Sequence, residues 1–249
     1  MNTNNFAVIV PVYNSEEWIG ACIESILTQS YPNYKLFVID DCSTDSTWDV
    51  IRQYGVYAKR NKHRVGALAN LVYGIKQFNK QDIIVTVDGD DILSEDGVLT
   101  YLNEVYQQDV WLTYGSFKPV SGRYEGTCQT LANTYTVNEQ GKWVRNYLTT
   151  QTYRQSTVWV TSHLRTFRKW LWDKINPEDL KENGEYYKMA WDMAFMYPMI
   201  EMAGEHILFI RKIMYIYNDK NPLCDGTVNS KLQIATGKSI QQKQIYKAL

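Results

Sequence analysis

Short apolar runs alternate with segments of helical periodicity through the first 117 residues, and this alternation leaves few architectures open. The first run, FAVIVPV at 6–12, is typical of a strand buried on both faces. A helix is predicted at 15–29, with Asn14 and Glu17 as its N-terminal cap. Further strands are predicted at 35–40, 56–59, 82–88 and 110–117, and further helices at 45–54, 65–78 and 95–107. Such alternation implies a mostly parallel sheet flanked by helices.

The second half of the chain loses this regularity. Residues 118–160 are polar and rich in Thr and Tyr. Beyond them, periodicity predicts two helices and a strand, at 163–174, 187–203 and 206–218. We therefore expect one α/β domain over 1–249, with a Rossmann-like sheet in 1–117 and an irregular part in 118–249.

The composition excludes several classes of function. The formal net charge is −1, so a broad nucleic-acid-binding surface is not expected. The four cysteines are Cys22, Cys42, Cys128 and Cys224. They are scattered without a C-x-x-C pair, which argues against a zinc site and favours a reducing compartment. No run approaches the roughly 20 apolar residues of a transmembrane helix. We expect a cytoplasmic protein without a transmembrane segment.

Three polar motifs follow predicted strands: PVYNSEE at 11–17, DDCSTD at 40–45 and DGDD at 88–91. Each alone is ordinary turn or capping chemistry. Because the carboxyl ends of parallel strands meet at one edge of a sheet, we expect the three motifs to lie together. The carboxylates of DGDD repel one another, and such a group usually shares a cation or a proton. The sequence therefore predicts a ligand site at this edge, where the acids share either a cation or a proton.

The stretch VIVPVYNSEEWIGACIESILTQSYPNYKLFVIDDCSTDST, followed by VDGDD, resembles the family-2 inverting glycosyltransferases of GT-A fold. The resemblance implies a nucleoside-diphosphate-sugar donor, most often with UDP, and an Mn²⁺ or Mg²⁺ cofactor. It implies a donor-binding half at 1–117 and an acceptor-binding half at 118–249. The acceptor would be a hydroxyl of a glycan, a lipid or a protein, and a lipid-linked acceptor would require peripheral docking to a membrane.

The resemblance also implies roles for individual residues. The wall of the nucleotide pocket would be formed by Pro11, Tyr13 and Asn14, and the base would be bound by Asp41 or its neighbour Asp40. Asp90 would coordinate the metal ion. Asp88 would contact the ribose or the sugar, or would also coordinate the metal, and Gly89 would border the nucleotide sugar between them. Arg64 is either a cation near the phosphates or a solvated loop residue.

The second half supplies the candidates for the acceptor side. The resemblance implies that Asp192, at the start of a helix, is the catalytic base; otherwise it is an acid favoured by the helix dipole. His163 and Arg165 are candidates for contacts with the diphosphate or the acceptor, and a buried or capping role is the alternative. Lys220 either reaches a phosphate or belongs to a surface loop. Most of the tryptophans around these residues are expected in the core, among them Trp159, Trp170, Trp172 and Trp191.

Other protein classes share parts of this pattern. In a haloacid-dehalogenase-like, Mg²⁺-dependent phosphatase, Asp88 would be the nucleophile and Asp90 the general acid. That motif normally follows the first strand, whereas DGDD follows several strand–helix units. A nucleotidyltransferase would open with a Gly-rich phosphate loop, and a module that only binds sugar would not need Asp192. An EF-hand is excluded because Leu93 stands where its loop requires Gly.

Overall fold

The computed structural model describes residues 3–123, 129–131, 134–137, 143–146, 148–156, 159–223 and 230–249. Two of the cysteines, Cys128 and Cys224, lie outside these ranges. Within the described ranges, no helix is both long enough and apolar enough to cross a bilayer.

The described residues alternate between strands and helices in the first half and lose this order in the second. The strands are β1 (Phe6–Val12), β2 (Tyr34–Asp40), β3 (Ala58–Arg60), β4 (Ile83–Thr86), β5 (Ile92–Leu93), β6 (Leu112–Pro119), β7 (Thr134–Val137), β8 (Trp143–Asn146), β9 (Arg165–Arg168), β10 (Lys181–Glu182), β11 (Glu185–Tyr186) and β12 (Ile207–Tyr217). The α-helices are α1 (Ile19–Leu27), α2 (Thr47–Gln53), α3 (Ala67–Ile75), α4 (Val98–Val105), α5 (Lys169–Trp172), α6 (Trp191–Ala203) and α7 (Ser230–Gln241).

Eight strands form one sheet in the order β3-β2-β1-β4-β9-β6-β12-β5. The pairs β1–β2, β1–β4, β2–β3 and β6–β12 are parallel. Strand β9 is antiparallel to both of its neighbours, β4 and β6, and β5 is antiparallel to β12. The prediction of a mostly parallel α/β sheet flanked by helices is confirmed. The second half completes this sheet, because β9 and β12 lie beside strands of the first half.

Two apolar layers cover the two faces of the sheet. Successive residues of β1 alternate between them, with Ala7 and Ile9 in one layer and Val8 and Val10 in the other. Helices α3 and α6 pack in the layer of Ile9, and α1 and α4 pack in the layer of Val8. Since both faces are buried, the carboxyl ends of the central strands are where polar side chains can gather beside a cleft.

The predicted helix at 163–174 is wrong over its first half. Residues 165–168 form β9, and the helix α5 is confined to Lys169–Trp172. Backbone pairing explains the difference, because β9 hydrogen-bonds to β4 on one side and to β6 on the other. This pairing prevails over the local periodicity of the sequence.

The predicted cap of the first helix is also wrong. Helix α1 begins at Ile19, its N-terminal cap position is Trp18, and no side chain bonds there. Asn14 has a left-handed backbone, with φ of 47°. Its side-chain oxygen accepts a hydrogen bond of 2.8 Å from the backbone amide of Thr44. Asn14 thus joins the loop after β1 to the loop after β2.

Candidate active site

A cleft of about 940 Å³ opens where β1, β2 and β4 end. Both halves of the chain line it, and the predicted residues among its walls are Pro11, Tyr13, Asp41, Arg64, Asp88, Gly89, Asp90, His163, Arg165 and Asp192. Three predicted residues are not among its walls: Asn14, Asp40 and Lys220. The expected convergence of the three strand ends is therefore present.

The three residues outside the cleft have local partners. Asp40 is fully buried, accepts a hydrogen bond of 3.1 Å from the Ser43 amide, and lies 3.0 Å from Nε of Arg60. Lys220 is exposed in the turn after β12, and its backbone amide donates to the side chain of Asn218. Asn14 bridges two loops, as described above. These contacts shape the loops around the cleft.

Asp41 holds the loop that precedes α3. Its carboxylate accepts hydrogen bonds from the backbone amides of Val65 and Gly66, at 2.9 and 2.8 Å, and from Nδ2 of Asn61 at 2.9 Å. Gly66 has a φ of 94°, which glycine adopts without strain. The same loop places the exposed guanidinium of Arg64 over the ring of Tyr13, 3.8 Å from its centroid. Asp41, Tyr13 and Arg64 thus form one wall of the cleft.

The DGDD turn at 88–91, also called the acid turn below, packs tightly against the end of β1. A Cβ added to Gly89 would lie 2.5 Å from both Cβ and Cγ2 of Val12, so only glycine fits there. The acids on either side of Gly89 therefore have positions that are set by this close approach.

The last acid of the turn, Asp91, is bonded to β12 and the residue after it. It is 1% exposed, and it accepts hydrogen bonds from the Tyr215 hydroxyl at 2.7 Å and from the Asn218 amide at 2.6 Å. The Tyr215 oxygen also accepts a bond of 3.0 Å from the backbone amide of Asp88. Burial raises the pKa of Asp91 well above its usual range, and the charges of Asp90 and Asp88 raise it further.

Asp90 is bonded to the segment after β12. Nδ2 of Asn221 donates to Oδ2 of Asp90 at 2.6 Å. Burial raises the pKa of Asp90, and the bond from Asn221 opposes that shift. Asn221 and Tyr215 were missed by the sequence reasoning, because an Asn in a polar loop and a Tyr in a strand carry no signal of what they contact 124 or more residues away.

The acid turn fits a divalent cation. One possible ligand atom from each of Asp88, Asp91 and His163 lies within 4.8 Å of the others. Carboxylate oxygens suit Mg²⁺ and Mn²⁺, and an imidazole nitrogen is a common ligand of transition-metal ions. A cation at this place would also offset the repulsion that raises the pKa of Asp91. Both oxygens of Asp91 also accept hydrogen bonds from protein donors, Tyr215 and Asn218.

His163 is buried between Tyr215 and Arg165. It is 8% exposed and stacks against Tyr215 with ring centroids 4.5 Å apart and planes at 7°. Burial lowers the pKa of His163 well below its usual range, and the charge of Arg165 lowers it further. Its Nδ1 lies 3.3 Å from Nη1 of Arg165, so Nδ1 accepts from the guanidinium.

Asp192 faces this group from the start of α6. It is the second residue of the helix, and its Oδ2 accepts a bond of 2.6 Å from Nη2 of Arg165. The side chain of Asp192 is 20% exposed and that of Arg165 is 4% exposed. Of the four tryptophans considered, Trp172 is buried in the core, Trp170 packs against it, and Trp159 and Trp191 also line the cleft.

The profile of glycosyl transferase family 2 matches residues 7–174, more than half of the chain. The chain belongs to glycosyl transferase family 2. The match covers all three strand-end motifs and His163 and Arg165, and it ends before Asp192. It favours the glycosyltransferase interpretation of the acid turn over the phosphatase one.

Relatives of this family 2 chain bear glycosyltransferase names. The glycosyltransferase GlyG of Streptococcus pneumoniae serotype 4 is 25% identical over 232 residues, which are 86% of this chain and 71% of that protein. The poly(ribitol-phosphate) beta-glucosyltransferase of Bacillus spizizenii is 32% identical over 125 residues, which are 47% of this chain and 20% of that protein. The chain thus spans only a fifth of the length of the Bacillus relative.

Solved structures show the same fold. TarS 1–349 of S. aureus, crystallised with UDP-GlcNAc, superposes with a TM-score of 0.62 at 20% identity, over 86% of this chain and 58% of that one. The mannosyltransferase PcManGT of Pyrobaculum calidifontis, in complex with GDP-Man and Mn²⁺, superposes with a TM-score of 0.60 at 14% identity, over 99% of this chain and 67% of that one. The family 2 chain therefore has the GT-A fold that its first half predicted.

Proposed function

We propose that this chain catalyses a metal-dependent, inverting transfer of a sugar from a nucleoside diphosphate to a hydroxyl of a glycan, lipid or protein acceptor. One observation carries the proposal: a single cleft joins the acid turn after β4 to Asp192 at the start of α6. The first group suits a metal-bound diphosphate, and the second suits a base that acts on an acceptor. We further propose that 1–249 acts as one domain, with the donor bound by 1–117 and the acceptor by 118–249.

The nucleotide-sugar donor is assigned to the wall of the cleft formed by Asp41, Tyr13 and Arg64. Asp41 borders the cleft and binds the nucleotide base, whereas Asp40 is paired with Arg60 and does not line the cleft; Pro11 and Tyr13 border the same space. Arg64 is exposed beside Tyr13, where its charge can meet a phosphate. UDP is the proposed nucleotide because the similar TarS structure contains UDP-GlcNAc, while the GDP-Man of PcManGT makes GDP the alternative to be tested.

The acid turn is assigned to the metal and the leaving group. Asp90, which lines the cleft, would hold Mn²⁺ or Mg²⁺, and the adjacent group of Asp88, Asp91 and His163 would supply further ligand atoms. The bound ion would neutralise charge on the departing nucleoside diphosphate. The low pKa of His163 keeps its imidazole neutral, which is the form that binds metals.

Asp192 is assigned as the general base. It takes the proton of the acceptor hydroxyl as that oxygen attacks the anomeric carbon, and the bond from this carbon to the diphosphate oxygen breaks with its electron pair leaving on the nucleotide. Attack on the face opposite the diphosphate inverts the anomeric configuration. Trp159 and Trp191 border the same space and offer ring faces to an acceptor sugar.

Thermal unfolding with UDP, GDP or dTDP, each with Mn²⁺, Mg²⁺ or EDTA, tests the donor class. A nucleotide at about 100 times its Kd adds about 2.7 kcal/mol to the free energy of unfolding. We expect this increase with one nucleotide, only when metal is present, and we expect Asp90→Asn to remove it. Stabilisation by metal alone, with turnover of phosphate esters, would instead support the phosphatase.

The second experiment measures release of the nucleoside diphosphate from sugar donors of the nucleotide so identified. Water can serve as a slow acceptor, so the measurement does not require the natural one. We expect Asp192→Asn to retain the metal-dependent nucleotide response and to lose turnover by about 10²–10⁴-fold. Turnover within a few-fold of the wild type would show that another group is the base.

A further inference from the structure

Each of the three guanidinium nitrogens of Arg165 has a hydrogen-bond partner within the protein. Nη2 donates to Oδ2 of Asp192 at 2.6 Å, Nη1 lies 3.3 Å from Nδ1 of His163, and Nε donates to the backbone oxygen of Thr161 at 3.3 Å. The residue is 3% exposed although it borders the cleft. These bonds use three of the five N–H groups of the guanidinium and fix its plane relative to Asp192.

The two carboxylate oxygens of Asp192 have different hydrogen-bond donors. Oδ2 accepts the short bond from Arg165, whereas the protein donor to Oδ1 is the amide of the adjacent Met193, at 3.0 Å. Ala190, just before the helix, has a left-handed backbone with φ of 47°, which turns the chain into α6 at this point. Arg165 thus fixes one oxygen of Asp192, and the other is left to receive a proton.

We propose that Arg165 is a positioning residue that holds Asp192 in the orientation required for proton transfer. This inference rests on the proposed role of Asp192 as the base. It replaces the expectation that Arg165 binds the diphosphate or the acceptor directly. The guanidinium connects a strand of the central sheet, β9, to the first turn of α6, so the rigid sheet sets the orientation of the carboxylate.

The geometry at this position favours arginine over lysine. A lysine ammonium could reach Asp192 from the same backbone, but one nitrogen cannot also satisfy Thr161 and His163 in the directions of the planar fork. The charge would remain while the orientation of the carboxylate became less restricted. Because a displacement of about 1 Å in a reacting group can reduce turnover by about 100-fold, we expect a large effect from this loss of orientation.

The test compares Arg165→Ala and Arg165→Lys with the wild type, using release of the nucleoside diphosphate from the identified donor. We expect kcat to fall by about 100-fold in the alanine variant and by about 10-fold in the lysine variant, with the donor KM changed by less than about threefold. Added guanidinium ion should restore at least a tenth of the lost turnover to Arg165→Ala, because the deleted side chain borders the cleft. Guanidinium should not rescue Asp192→Asn.

Arg154 provides the matched control. It is a second buried arginine, 1% exposed and paired with Glu201 at 2.6 Å, and it is not among the residues that line the cleft. Arg154→Lys should leave kcat within about twofold of the wild type. If Arg165→Ala does not fold, Arg165→Lys decides the question, since it keeps the charge and most of the volume.

Three results would overturn the proposal: an unchanged kcat in both Arg165 variants, a raised donor KM with normal kcat, or no rescue by guanidinium. The second result would assign Arg165 to the donor phosphates. A wild-type protein that releases nucleoside diphosphate from no donor would refute the proposed function itself, and is thereby distinguished from a failure of the role of Arg165.

Discussion

Gly89→Ala tests how closely the acid turn is coupled to the end of β1. The added Cβ would lie 2.5 Å from Cβ and Cγ2 of Val12 and 3.2 Å from the backbone oxygen of Pro11. Ordinary carbon–carbon contacts begin near 3.4 Å, so the turn or β1 must move by about 0.9 Å. Overpacking of this kind costs about 1–3 kcal/mol, which corresponds to a decrease in Tm of about 2–12 °C.

The same shift moves the acids on either side of Gly89. We expect Gly89→Ala to lose at least about tenfold in metal affinity and about 100-fold in turnover, since Asp88 and Asp90 move with the backbone. Val12→Ala should not rescue the variant, because the Cβ of residue 12 is itself one of the atoms in collision. Calorimetric titration with Mn²⁺ and thermal unfolding measure both effects.

Gly97→Ala is the matched control for this substitution. A Cβ at Gly97 would find Glu95 Oε1 at 3.6 Å as its nearest neighbour, which is an ordinary contact. We expect no decrease in Tm and no change in metal affinity. If Gly89→Ala matched this control in stability and in metal binding, the argument from steric fit would be refuted.

Three further predictions concern the bonds of the acid turn. Tyr215→Phe removes a buried donor to Asp91 and should lower the free energy of unfolding by about 1–3 kcal/mol, measured by urea denaturation. Burial raises the pKa of Asp90 and Asp91, so the metal-free protein loses stability as pH rises above the usual carboxyl range; the gain in Tm from Mn²⁺ should therefore grow as pH rises from that range toward neutrality, and a constant gain would contradict this. Asn221→Ala frees Asp90 Oδ2 and should strengthen Mn²⁺ binding by about threefold to tenfold, measured by calorimetry.

The regular half of the fold could be predicted from sequence because its signals are local. The apolar run of β1 and the periodicity of α1 depend on residues that are adjacent in the chain, and the three strand-end motifs follow such runs directly. Once the sheet is known to be parallel, these motifs must meet at one edge. Asp41, Asp88 and Asp90 were found in this way.

The second half depends on contacts between residues that are distant in sequence. RTFR at 165–168 carries no alternation that identifies a strand, and it becomes β9 because two strands of the sheet pair with it. The different partners of Asp40 and Asp41 are likewise distant in sequence: Arg60 lies beside Asp40, and the amides of Val65 and Gly66 donate to Asp41. Pairing partners of this kind have no sequence signature.

The acids of the DGDD turn have different surroundings although their side chains are identical. Asp91 is bonded to Tyr215 and Asn218, so it fastens the turn to β12 and the residues that follow it. Asp90 is bonded to Asn221, three residues further along the same segment. The end of β12 and the residues after it therefore hold the turn at two acids, one inside the core and one at the cleft.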